Sequence, residues 1–236
     1  MTASPSDQFR RMLTGYWISQ SLYVAAKLGL ADLVKNGPRS DEDLAKATGT
    51  HAPSLYRLLR ALASVGVFAE EHDRRFGLTP LAECLRSDTA GSQRSLAIML
   101  GEEHFACYGR LIDSVRTGET MFDKIYGSGV FDFLSTHPEQ GRTFDEAMVG
   151  VHGEETAAML DAYDFSGIGT LADVGGGNGS LLRATLEKNS QLRGMLVDLP
   201  NVVARAKANF TAAGLTDRCQ AVAGNFFESV PGGADA

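Results

Sequence analysis

The chain has 236 residues, enough for one large domain or two small ones, and an apolar share of 44% can fill a core. Its net charge of −7 argues against a general role on nucleic acid or at a membrane surface. Cys84, Cys107 and Cys219 are widely spaced and form no Cys-x-x-Cys pair, so neither a disulfide framework nor a zinc site is indicated.

Residues 1–10 are polar and contain no apolar run, so no signal peptide is expected. No stretch approaches about 18 uninterrupted apolar residues, the length a membrane span needs. A cytoplasmic, reduced protein is the expectation.

Phe9 to Leu28 reads as one helix that is apolar almost all round, through Phe9, Met12, Leu13, Tyr16, Trp17, Leu22 and Val24. Such a helix must be covered, either by a partner chain or by the rest of its own chain. A homodimer is the expectation. Ser40–Gly49 opens with a capping pattern, Ser40 with Asp43, and stops at a glycine. Pro53 starts the next helix, Ser54–Val65, with its stripe of Leu55, Leu58, Leu59, Leu62 and Val65. Residues 67–71 and 75–79 flank His72-Asp73 as a hairpin. Helix, helix, hairpin is winged-helix order. Arg57, Arg60, Arg74 and Arg75 hint at DNA, but Glu70, Glu71 and Asp73 oppose it and no basic stripe continues, so a dimerisation or lid role is favoured.

Residues 91–116 predict one or two helices, followed by a turn at 117–120. Short apolar pieces at 121–126 and 130–134 are broken by Gly127, Gly129 and Pro138. A long helix is expected over 142–163. Residues 164–169 are the linker, which divides the chain into 1–165 and 166–236.

The stretch Leu171-Ala-Asp-Val-Gly-Gly-Gly-Asn-Gly-Ser180 then reads as strand, glycine loop and helix. That order suits a nucleotide-type cofactor, because the loop admits close approach and the helix start presents N–H groups. The pattern is Asp-x-Gly-x-Gly-x-Gly, on Asp173, Gly175, Gly177 and Gly179. A dinucleotide fingerprint would want glycine where Ser180 stands, and would not ask for Asp173. About twenty residues on, a second apolar strand, Gly194–Asp198, ends in an acid placed to hold both ribose hydroxyls. A helix over 201–213 and a third strand over 218–223 follow. Residues 231–236 look like the entry to a fourth strand, so the sheet is expected to be incomplete and the chain truncated.

Three segments, Leu171–Ser180, Val197-Asp-Leu-Pro-Asn-Val202 and Gly224-Asn-Phe-Phe227, together with Ala25-Ala-Lys-Leu-Gly-Leu30 and Tyr56-Arg-Leu-Leu-Arg-Ala-Leu62, carry a resemblance. Over essentially its whole length the chain resembles the S-adenosylmethionine-dependent O-methyltransferases of the plant caffeic-acid and acetylserotonin type. The resemblance implies a winged-helix dimerisation half and a Rossmann-like α/β half, and transfer of a methyl group to a hydroxyl of a small aromatic or polyketide-type acceptor. It implies S-adenosylmethionine as cofactor, with Asp173 and Gly175 at the methionine end and Gly177 in the same loop. Asp198 would hold the ribose and Phe226 would lie against the adenine. Asn225 stands where the family usually has Asp accepting from the adenine amino group. Phe144 and Met148 fall where the family shapes its acceptor pocket; ordinary helix core is the alternative. The family's catalytic His lies beyond the fourth strand, and His51, His72, His104, His137 and His152 do not match it, so no catalytic residue is assigned. No metal, nucleic acid or membrane is implied. The rival readings are a nicotinamide-dependent oxidoreductase and a non-enzymatic module, either a winged-helix regulator or a methyltransferase-like subunit without chemistry.

Overall fold

The computed structural model describes residues 4–236. The chain divides into two compact units, one ending at Val151 and the other His152–Ala236. No helix among the described residues is long and apolar enough to cross a membrane.

The first unit begins with two helices, α1 (Pro5–Leu13) and α2 (Gly15–Lys27), where one was expected. The break falls at Thr14, whose hydroxyl bonds back to the Arg10 carbonyl at 2.9 Å. A side chain that competes for a backbone carbonyl loosens a helix there, and Gly15 follows at once. Short α3 (Leu30–Leu33) and β1 (Arg39–Ser40) lead to α4 (Asp41–Thr48). The Ser40 hydroxyl accepts from the Asp43 N–H at 3.1 Å, so the capping pattern is realised. Helix α5 (Ala52–Ser64) buries Leu55, Leu59 and Leu62 and packs beside α4 and α2.

The hairpin is β2 (Phe68–Glu71) with β3 (Arg75–Leu78), turning at Asp73 and Arg74, and β1 adds a third antiparallel strand in the order β1-β3-β2. The arginines that hinted at DNA are engaged inside this fold. Arg74 pairs with buried Asp41 and lies 4.0 Å over the Tyr56 ring. Arg75 donates to the Pro38 carbonyl, Arg60 meets Glu70 at 3.4 Å, and Arg57 donates to Ser54.

Next come α6 (Pro80–Glu83) and α7 (Arg94–Met99), which packs along α2. Helix α7 runs into a π-helical segment, Leu100–His104, where Glu102 is non-helical (φ −97°, ψ −105°). A Cβ on Gly101 would stand 2.2 Å from the Tyr23 ring, so only glycine lets the segment meet α2 this closely. Helices α8 (Phe105–Tyr108), α9 (Leu111–Thr117), α10 (Met121–Tyr126) and α11 (Val130–Thr136) follow. Residues 91–116 thus form more pieces than the one or two helices expected. Helix α12 (Pro138–Ala162) starts earlier than 142, because Pro138 opens it rather than breaking it.

The second unit is a parallel sheet with helices in its crossovers. It comprises β4 (Thr170–Val174), α13 (Ser180–Lys188), β5 (Arg193–Asp198), α14 (Pro200–Ala212) and β6 (Cys219–Ala223). The order β4-β5-β6 puts β5 in the middle, buried from Gly194 to Asp198, as its continuous apolar run requires. Leu182 and Leu186 of α13 and Val203, Ala206 and Phe210 of α14 close over Leu196. The Arg218 guanidinium donates to the carbonyls of Leu186, Asn189, Ser190 and Leu192, tying the end of α13 to the start of β5. On the edge of β4 away from β5, the Asp235 N–H donates to Thr170 and the Ala172 N–H to the Ala236 carbonyl. Residues 235 and 236 thus lie along the other edge of β4, without strand assignment.

Candidate cofactor site

The site gathers at the C-terminal ends of the three parallel strands, where open α/β sheets bind ligands. Strand β4 ends in a glycine loop whose Gly175, Gly177 and Gly179 all have positive φ, at 75°, 58° and 80°. The Gly175 N–H still reaches the Val197 carbonyl, which holds the loop against β5. The loop then becomes α13 directly, with Gly179 as its N-cap.

Asp173 and Asp198 flank this loop. The Asp198 Oδ2 accepts from the Gly177 N–H at 2.8 Å and its Oδ1 from the Leu199 N–H at 2.7 Å. Each carboxylate oxygen has a second lone pair, so the acceptor capacity for a diol remains. The Asp198 carbonyl accepts from the Gly224 N–H, which draws the loop after β6 to the same edge.

Asp173 is different. Its Oδ2 is buried and has no hydrogen-bond partner. Burial raises its pKa above the usual 3.8, the Asp198 charge adds to the rise, and the Leu182 N–H at the start of α13 opposes it. The same carboxylate helps burial push the Cys219 thiol up to about 11.

The ring of Phe226 lies over the loop, 3.5 Å from where a Cβ on Gly175 would stand, and is partly exposed. Asn225 makes a local turn instead of pointing freely into the site. Its Oδ1 accepts from the Phe227 N–H at 3.1 Å and its Nδ2 donates to Glu228 at 3.0 Å.

The structure therefore brings together Asp173, Gly175, Gly177, Asp198 and Phe226, with Asn225 at the same edge. Sequence reasoning passed over Gly176. A Cβ there would meet the Asp173 Oδ2 at 2.7 Å and the Leu196 Cδ1 at 2.8 Å. The signal was the middle glycine of an unbroken run of three, whose need shows only when Asp173 folds back under the loop.

Phe144 and Met148 lie on α12 in the first unit. Phe144 lines a small cavity and meets Phe131 edge-on, with centroids 6.1 Å apart. Met148, about one turn on, is half-buried and is not among the residues lining that cavity. The histidines differ sharply. His51 meets Ser54, His137 stacks on Phe133, and His152 pairs with Glu155 at 2.8 Å while exposed. His104 alone has a buried ring nitrogen without a partner, and it lines the same cavity as Phe144.

An acidic strand end, a glycine loop opening a helix and a second acid at the next strand define a nucleotide-type cofactor site on a Rossmann-like sheet. Residues 108–236 match the O-methyltransferase domain, and residues 11–88 match the O-methyltransferase dimerisation domain. The chain belongs to the O-methyltransferase family. It is 48% identical over 225 residues to a phenazine O-methyltransferase of Lysobacter antibioticus, covering 95% of this chain and 66% of that protein. The crystal structure of LaPhzM superposes with a TM-score of 0.94 at 47% identity, covering 99% of this chain and 70% of that one. Human N-acetylserotonin methyltransferase, solved in complex with S-adenosylmethionine, gives a TM-score of 0.87 at 25% identity, covering 100% of this chain and 71% of that one. The chain spans about two thirds of the length of the curated relatives it matches.

An ionised Asp173 with an orphaned buried oxygen costs folding energy. Its folded pKa is raised, so its contribution to stability is complete below the unfolded value of 3.8 and is lost as pH rises through the folded value. Asp173→Asn should therefore be more stable than wild type at pH 7, with the gap closing as pH falls through the carboxylate range. Urea midpoints across that range are the check. A wild type more stable than the variant at pH 7 would show that the carboxylate is compensated.

Proposed function

We propose that the chain binds S-adenosylmethionine and serves transfer of its methyl group to a hydroxyl of a small aromatic acceptor. The orphaned Asp173 oxygen carries the proposal. It faces a loop that glycine alone can form and lies close enough to Asp198 for their charges to interact, so two carboxylates await a cationic ligand. S-adenosylmethionine fits this donor set, with an ammonium for Asp173 and a ribose diol for Asp198. Once bound, it supplies an electrophilic methyl group on a sulfonium.

The residues act by holding and orienting. Asp173 and the Gly175–Gly177 backbone take the methionine end, Asp198 the ribose and Phe226 a face of the adenine. Asn225 keeps a lone pair on Oδ1 for the adenine amino group, beside the bond it accepts from Phe227. Fixing two reactants in line accounts for most of the rate gain in such a transfer. Phe144 and Met148 are read as acceptor-side residues, and residues 1–165 and 166–236 as the helical and cofactor-binding domains. The two helices, three-stranded sheet and turn at Asp73 support a winged-helix reading of the first part. A cytoplasmic location accords with three free cysteines.

Calorimetric titration with S-adenosylmethionine and with a nicotinamide dinucleotide tests the reading. Binding of the first and not the second supports it; the reverse result would return the site to hydride transfer.

The same reading makes the protein a homodimer. Phe9, Met12, Leu13, Tyr16 and Trp17 of α1 and α2 are all more than half exposed in the single chain. An apolar face of that size needs a cover. Light scattering at micromolar concentration should give twice the chain mass. A well-folded monomer would rule out these helices as an interface.

A further inference from the structure

We infer that His104 ends a subsite for one hydrogen-bonding substituent of the aromatic acceptor, a hydroxyl apart from the one that is methylated. The inference rests on the methyltransferase reading and extends it to the acceptor's class.

The observations are local to the first unit. Met99, Phe122, Phe133 and Phe144 wall a cavity whose enclosed space is about 20 Å³. That is room for about one water-sized group. Its polar lining comes from Glu102, Glu103 and His104 of the π-helical segment and from Gln140 and Thr143 of α12. The Glu102 Oε1 is already engaged: it accepts from the Tyr23 hydroxyl at 3.1 Å and meets Lys27 at 2.8 Å. The His104 Nδ1 is buried and has no partner. A buried polar atom left unmatched is costly, and in a site for planar ligands it is the atom a ligand substituent satisfies.

The kind of contact follows from the neighbours. Glu103 offers carboxyl oxygens, Gln140 and Thr143 line the same cavity, and an imidazole nitrogen donates or accepts according to its tautomer. A hydroxyl, which both donates and accepts, answers either form of His104. The enclosed space suits one substituent of a ring and not the ring itself. A π-helical turn is a common device for turning side chains into such a site.

The test uses two probes that differ by one hydroxyl, 1,4-dihydroxy-2-naphthoate and 1-hydroxy-2-naphthoate. Binding of each is titrated calorimetrically to wild type, His104→Phe and His104→Asn in the presence of S-adenosylhomocysteine, whose own affinity is measured alongside. Wild type should bind the dihydroxy probe about tenfold more tightly, the value of one well-made buried hydrogen bond. His104→Phe should abolish that preference. His104→Asn, which keeps a polar atom near Nδ1, should restore part of it, which a merely structural role would not do. An equal preference in wild type and His104→Phe would overturn the inference. So would binding of S-adenosylhomocysteine with no binding of either probe. Failure of S-adenosylhomocysteine itself to bind would overturn the methyltransferase reading, and the inference with it. Thermal unfolding of each variant shows whether a lost preference is merely lost fold, and in that event His104→Asn decides.

Discussion

Asp198→Ala should weaken S-adenosylmethionine binding by about 2 kcal/mol or more, roughly thirtyfold. On the proposed reading, charge-assisted bonds to two ribose hydroxyls would be lost, and these are the stronger kind. The structure adds a second cost. Asp198 also accepts from the Gly177 and Leu199 N–H groups, so alanine releases the glycine loop at Gly177. Asp198→Asn separates the two effects. It keeps an oxygen for one backbone N–H and loses the charge, so its affinity should fall between wild type and alanine. Titration of the three proteins is the measurement. Equal affinities in wild type and alanine would move the ribose elsewhere.

What the sequence reveals about this site depends on how local each cause is. Asp173, Gly175, Gly177 and Gly179 are legible because strand, loop and helix lie within one short run, and each glycine answers to its own backbone. Asp198 is legible because βαβ spacing is nearly fixed. Gly176 was not, since its φ is unremarkable and its constraint is the folded-back Asp173 carboxylate together with Leu196 from the neighbouring strand. Asn225 was legible as a departure from the family, but not its local turn with Phe227 and Glu228.

The helical unit is legible where caps and stripes are strong, as at Ser40 and along α5. It fails at Thr14, where one hydroxyl breaks a continuous apolar pattern, and across 91–116, where packing on Tyr23 dictates a π-helical turn that no propensity announces. His104 belongs to that second failure. Nothing in the residues around it distinguishes it from the other histidines. Its place on one cavity with Phe122, Phe133 and Phe144, distant in sequence, and its buried nitrogen show only in the fold.

Gly101→Ala should destabilise the protein by about 3 kcal/mol, at the upper end for overpacking a well-filled core. The added methyl would stand 2.2 to 2.6 Å from three atoms of Tyr23, including its Cβ, so a ring flip alone does not relieve it. Tyr23 is itself held by Glu102, and Glu102 by Lys27, so the ring cannot simply swing away. Relief requires α2 and the π-helical segment to separate. That would disturb the first core, where Leu22 of α2 and Ala97 and Ile98 of α7 pack on the buried cluster. It would also shift Glu103 and His104 on the cavity wall. Gly153→Ala is the control, since a Cβ there meets nothing within 4 Å and a helical alanine is favoured over glycine. Urea midpoints of the two variants should therefore move in opposite directions from wild type. A Gly101→Ala protein as stable as wild type would mean that α2 and the segment pack loosely enough to yield, and that glycine is not what permits the π-helical turn.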